Sequence, residues 1–150
     1  MIQEEYVSFE IAKLLKEKGF NCLCPAYYSE FFDNWKTLRF WKCGKPKTYD
    51  TVRNNGYLLV PTQSVVMKWL REVHKIHLDI GITLTSTEDP VNYPPKYYVY
   101  VESVETGESL IRYGSNANDL TIPNGNGPRS FDTYEEAVET GINYCLENLT

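Results

Sequence analysis

Between Trp35 and Arg53 six cations (Lys36, Arg39, Lys42, Lys45, Lys47, Arg53) face a single acid, Asp50, in a segment crowded with aromatic rings. Nine of the chain's 21 aromatics, Tyr27, Tyr28, Phe31, Phe32, Trp35, Phe40, Trp41, Tyr49 and Tyr57, fall within 31 residues. Aromatic faces stack nucleobases and cations neutralise phosphate, and each stacked base contributes about 1 to 3 kcal/mol. Trp35, Lys36, Arg39, Trp41, Lys42, Lys45 and Lys47 are therefore the candidate residues for an anionic ligand, with a nucleotide as the sharpest version. In an extended strand Arg39 and Trp41 share one face and Phe40 and Lys42 the other, so at most half of this set can point toward one ligand. The competing reading is architectural: the rings fill a core poor in regular structure, and Lys and Arg solvate its rim.

Other constellations carry less. The glycine-rich run Pro123–Ser130 opens onto a helix start, a geometry that cradles phosphate, but Asp132, Glu135 and Glu136 occupy the positive end of that dipole and would repel an anion. Its spacing fits neither nucleotide-binding glycine motif, so a flexible turn is expected. His74 and His77 lie where a helix gives way to a strand, and His77 falls on the solvent side of the strand pattern. Cys22 and Cys24 could join Cys43 in a zinc site completed by His74, His77 or Cys145, but they are spaced too tightly for a zinc knuckle and Pro25 after Cys24 suggests a strand end. No Gly-x-Ser-x-Gly, nucleophilic-cysteine or paired-carboxylate signature stands out. Neither a metal nor a cofactor is expected, and no catalytic residue is nominated.

At 150 residues the chain is long enough for one domain, residues 1–150, to bury about 70% of its unfolded surface without a staple. Its first residues are acidic, and no apolar run approaches the roughly 18 residues of a membrane span, so a cytoplasmic protein with reduced thiols is expected. The net charge of −5 sums unlike parts: +2 over residues 1–61, −2 over 62–129 and −5 over 130–150. That balance argues against double-stranded nucleic acid as a partner.

The elements that must position these residues begin with a helix capped by Ser8, striped by Ile11, Ala12 and Leu15, and stopped at Gly19. Residues 20–61 read as a small β region with long loops, including short strands at 38–43 and 57–60. Val65, Val66, Trp69, Leu70 and Val73 then recur at helical spacing from Thr62 to about residue 75. Leu78, Ile80, Ile82 and Leu84 alternate directly afterwards, a helix running into a half-buried strand. Strands at 76–84, 96–104 and 109–114 predict an antiparallel meander. A terminal helix over 132–149 opens on a capping box of Asp132 and Glu135. The fold class is α+β: a three-stranded antiparallel meander covered on one face by two helices, α-β-β-β-α over 62–149, beside an N-terminal helix and small β region.

Tyr6–Phe20, Pro61–His74 and Tyr134–Leu149 resemble segments of a group of small proteins carried by phages and prophages of gut bacteria. The resemblance implies an accessory protein made in the infected cell and brings no reaction. The α-β-β-β-α order, with Gly125 and Gly127 before the last helix, is also similar to the double-stranded RNA-binding domain. That family opens its last helix with lysines on phosphate, where this chain carries Asp132, Glu135 and Glu136, so the likeness is topological. The expected function is a non-catalytic phage accessory protein that inhibits or sequesters a host component such as a nucleotide or a host protein. Self-association would be one way to form its pocket. The alternatives are a small enzyme acting on a nucleotide or nucleic acid, and a structural or assembly protein of the phage.

Overall fold

The computed structural model describes residues 3–53, 56–83, 91–92, 94–114 and 117–150. Its contacts gather into two compact units, Met1–Val66 and Met67–Thr150. The fold is α+β, with three α-helices and two three-stranded antiparallel sheets among the described residues.

The first unit starts with α1, Phe9–Glu17. Ser8 has extended backbone and its Oγ accepts from Ile11 N, while Ile11, Ala12 and Leu15 form the buried stripe. Gly19, at φ 79, ends the helix in the left-handed region where a side chain would be strained. Three strands follow: β1 (Ala26–Ser29), β2 (Arg39–Phe40) and β3 (Tyr57–Val60), in the order β2-β1-β3. The expected strand at 38–43 is cut to two residues because the chain turns into a 3-10 helix over Lys42–Gly44. β1 was not foreseen; four residues immediately after Pro25 are too few for a periodicity to show. Its central place is fixed by register, with Tyr27 opposite Arg39 on one side and Leu59 on the other.

The helix α2, Gln63–Val73, contains the boundary between the units. Val66 and Leu70 are fully buried and Trp69 is 7% exposed, whereas Val65 is half-buried and Val73 is exposed, so only the middle of the helical stripe read from spacing is buried. The chain passes from α2 to β4 without glycine because Lys75 itself takes φ 59, the sole non-glycine at positive φ among the described residues. Its Nζ donates to Glu72 O at 3.0 Å, so the strained residue also caps the helix it follows.

In the second unit β4 (Ile76–Thr83) pairs with β5 (Lys96–Ser103) over all eight positions. The position of Leu84 lies outside the described residues. Ile76, Leu78, Val99 and Val101 are buried, and α3 (Tyr134–Asn148) packs against both strands. Gly141 makes that approach close: a Cβ there would sit 2.8 Å from Leu78 Cδ1 and 3.0 Å from Val99 Cγ1.

The third strand differs from the expectation. Residues 109–114 form only a bridge, Ser109 to Glu102, and the partner of β5 is β6, Ser130–Phe131, opposite Tyr97 and Tyr98. Side chains take the backbone groups that a ladder would have used. Tyr144 OH donates to Leu110 O and accepts from Arg112 N, both at 3.2 Å, while Asn118 Nδ2 donates to Arg112 O at 2.7 Å. With β6 counted, the order from α2 to α3 is still α-β-β-β-α.

The last helix also begins differently from its expected capping box. Thr133 is the N-cap, its Oγ1 accepting from Glu136 N at 3.1 Å, and Asp132 pairs instead with Lys96 on β5. That pairing holds the Asp132 carboxyl below its ordinary range, first through the hydrogen bond and then through the charge of Lys96. Within the glycine run before it only Gly125 is buried, while Asn124, Asn126 and Pro128 are exposed. Gly125 takes φ 73, and a Cβ there would fall 1.9 Å from Gly114 O, whose own N–H donates to Gly125 O.

Candidate functional site

In the first unit, strand register sorts the aromatic and basic segment. Side chains opposite one another share a face, so Tyr27, Arg39, Leu59, Ser29 and Tyr57 lie on one side of the sheet, and Ala26, Tyr28, Phe40, Leu58 and Val60 on the other. Trp41 extends the first set: its N donates to Pro25 O, and its ring stacks on Tyr27 at 4.0 Å with planes 24° apart. Trp41 Nε1 donates to Cys24 O at 3.1 Å, fixing the plane of the indole. Tyr57 meets Tyr27 edge-on and lies tilted to Trp41, each at 5.5 Å, and Phe31 joins Tyr57 at 5.7 Å.

Two of the nominated cations belong to this cluster. Lys47 Nζ stands 4.5 Å from the Trp41 ring centre. Tyr27 stacks on one face of that ring and leaves no room beneath it, so Lys47 covers the other. Arg39 lays its guanidinium 3.9 Å from the Phe32 ring centre. Its Nε is buried without a hydrogen-bond partner, and no carboxylate pairs with it among the described residues. A guanidinium placed between aromatic contact and desolvation, with no counter-charge, favours an incoming anion.

Trp35 and Lys36 form a separate group. Trp35 meets Phe9 of α1 edge-on at 4.9 Å, Phe9 meets Tyr28 at 5.2 Å, and Lys36 Nζ lies 5.4 Å and 5.2 Å from the Phe9 and Trp35 ring centres. Through Tyr28 this group belongs to the opposite face of the sheet. Lys42 and Lys45, on or beside the 3-10 turn, are exposed and join neither cluster. The structure thus unites Arg39, Trp41 and Lys47, keeps Trp35 and Lys36 together elsewhere, and leaves Lys42 and Lys45 at the rim. Tyr27, Tyr57 and Phe32, absent from the nominated set, are the rings that give the first cluster its shape. Their signal was in the aromatic count, but only the pairing of β1 with β2 and β3 selects them.

The surface around these clusters is unusually apolar. Phe31, Phe32, Trp35 and Phe40 are each more than two-fifths exposed. Phe31 and Phe32 flank the first cluster, whereas Trp35 and Phe40 lie on the opposite face, and large rings left in water beside a cation mark a binding surface more often than a folding residue.

Other chemistry-bearing residues are held in structural roles. Cys24 and Cys145 are buried, and burial pushes each thiol up to about 12, with the neighbouring Cys22 adding to the rise at Cys24. Such thiols are protonated and unreactive at neutral pH. The side chain of Cys43 lies outside the described residues. His74 packs edge-on against Trp69 at 4.5 Å, and His77 stands opposite Glu102. Among the described residues no three His, Cys, Asp or Glu side chains converge as metal ligands would. No described helix is long and apolar enough to cross a membrane.

No protein-family model, curated protein or solved structure matches the chain.

Proposed function

We propose that this is a non-catalytic binding protein whose first unit captures an anionic, ring-bearing ligand, a nucleotide in its sharpest form, on the Tyr27–Trp41–Tyr57 surface. The observation that carries this reading is Arg39: a half-buried guanidinium on Phe32 with no carboxylate partner among the described residues, directly across the strand pair from Tyr27. Lys47 supplies a second cation, and its flexible stem can leave the Trp41 face to a base while its ammonium moves to the phosphate. The kinship suggested by Tyr6–Phe20, Pro61–His74 and Tyr134–Leu149 gives such capture a setting: a phage accessory protein that sequesters a host component inside the infected cell.

The exposed Phe31 and Phe32, which touch Tyr57 and Arg39, favour a second reading, in which the same surface docks an acidic host protein through an apolar centre and a basic rim.

Equilibrium dialysis against a panel of nucleotides, followed by recovery of the ligand after denaturation, tests the first reading. Unchanged ligand is expected. Arg39→Glu should weaken binding more at low salt than at high salt, because the screening length falls from about 30 Å at 0.01 M to about 10 Å at 0.1 M. Turnover of any nucleotide defeats the non-catalytic reading. Retention of full affinity by Arg39→Glu combined with Lys47→Glu defeats the site.

A further inference from the structure

A cavity in the first unit uses none of the residues just proposed. It is a cleft of about 440 Å3 between the end of α1 and the turn over residues 48–53, lined by Lys16, Gly19, Phe20, Asn21, Tyr49, Val52 and Arg53. Pockets for small ligands start at about 300 Å3, so it is large enough for an organic molecule. We infer that this cleft binds a small organic anion, an aromatic or alicyclic phosphomonoester, with its ring on Phe20, Val52 and Tyr49 and its phosphate between Lys16 and Arg53.

The walls are fixed before any ligand arrives. Asn21 joins them: its Oδ1 accepts from Tyr49 N at 2.8 Å and its Nδ2 donates to Asp50 Oδ2 at 2.5 Å. The turn is closed on itself, with Thr51 Oγ1 accepting from Thr48 N and donating to Thr48 O, and Val52 N donating to Thr48 O. The far end of the Tyr49 ring is clamped as well, since its hydroxyl accepts from Leu59 N of β3 at 2.9 Å. Phe20 and Val52 are buried, giving an apolar floor. A cleft whose walls need no rearrangement keeps the ordering cost of binding low.

The two cations are exposed, and neither has a carboxylate within ion-pair distance among the described residues. Lys16 Nζ lies 5.3 Å from the Tyr49 ring centre and donates to Tyr57 O at 3.4 Å, which aims the ammonium and leaves two of its hydrogens free. The end of a helix would ordinarily repel an anion through its bare carbonyls. Here Leu14 O, Leu15 O and Lys16 O accept from the N–H groups of Lys18, Phe20 and Gly19, so that repulsion is muted. The nearby carboxylate, Asp50, is engaged by Asn21. A phosphate presents more than one anionic oxygen, so it can engage an ammonium and a guanidinium together, whereas a neutral ring alone would leave both unanswered.

Phenyl phosphate, inorganic phosphate and phenol, titrated into the full chain and followed by NMR shifts of Tyr49 and Phe20, separate the contributions. Phenyl phosphate should bind more tightly than either fragment. Arg53→Ala should weaken it about tenfold and Arg53→Glu further, as expected for one lost charge-assisted bond and then a repulsion. Arg53 is exposed, and unchanged amide spectra elsewhere would show that its variants fold. Arg39→Glu with Lys47→Glu should leave this binding intact, which keeps failure of the cleft distinct from failure of the Tyr27–Trp41 surface. Absence of Tyr49 and Phe20 shifts at millimolar phenyl phosphate, or equal binding by Arg53→Glu, would overturn the inference.

Discussion

The two units of this chain are ordered by different means. In the second, paired eight-residue strands and a fifteen-residue helix bury an apolar face at regular spacing, and Gly141 lets helix and sheet close on each other. In the first, strands of two to four residues leave most of the chain in loops, and those loops are held by single side chains: Asn21 to Tyr49 and Asp50, Tyr49 to Leu59, Trp41 to Cys24. Regular burial fixes the backbone of the second unit even though side chains such as Val73, Ile82 and Val104 stay exposed. Irregular backbone held from the side leaves rings and cations over, and both proposed sites are built from that remainder. The contrast teaches where to look for function in such a chain: among the irregular residues that periodicity cannot organise.

The strongest way to break this contrast is to remove Trp69. Its burial in α2 predicts that Trp69→Ala costs about 3 to 5 kcal/mol in urea unfolding, and a loss below about 1 kcal/mol would mean that the regular stripe is not what holds α2. Next comes Tyr144→Phe, which strands Leu110 O and Arg112 N. A loss of about 1 to 3 kcal/mol is expected, with faster amide exchange at Arg112, and an unperturbed Arg112 would show that another force lifts residues 110–113 off the sheet. In the first unit Asn21→Ala should cost about 1 kcal/mol while loosening the whole 48–53 turn, visible as lost exchange protection at Tyr49. A purely local change at residue 21 would mean that the turn is closed by its own threonines alone.

The gentlest probe is alkali. Burial pushes Cys24, Cys145 and Tyr49 up to about 12, from ordinary values of 9 for the thiols and 10 for the phenol. The folded state therefore keeps protons that the unfolded chain has lost, so stability from these groups is complete below pH 9 and falls as pH rises toward 12. Because Cys24 and Tyr49 belong to the first unit, while the second holds Cys145 and Tyr113, a phenol that burial raises less at its more exposed position, alkaline titration followed by amide exchange should loosen the first unit earlier. Simultaneous loss would show that the two units unfold together.

Much of the fold was legible because it depends on neighbours in sequence. Ser8 and Gly19 bracket α1 through local hydrogen bonds and backbone sterics, and the period change near residue 75 marks α2 and β4 because burial of one face requires it. What the tertiary structure decided involves competition between distant groups. Asp132 is as good a helix cap as Thr133 in sequence, and Lys96, 36 residues away, draws it off. Leu110–Tyr113 follows a turn as a third strand would, but Tyr144 and Asn118 claim its backbone. The same holds for the candidate sites. Composition flagged Arg39, Trp41 and Lys47 together with Trp35, Lys36, Lys42 and Lys45, and only the β2-β1-β3 register could divide them, since each strand residue's face depends on pairings made across 12 to 34 positions. Composition flagged Arg53 and Tyr49 of the Lys16–Arg53 cleft but not the cleft itself: its residues come from the end of a helix and a turn 28 or more positions later, and Asn21 brings them together only once the chain has folded.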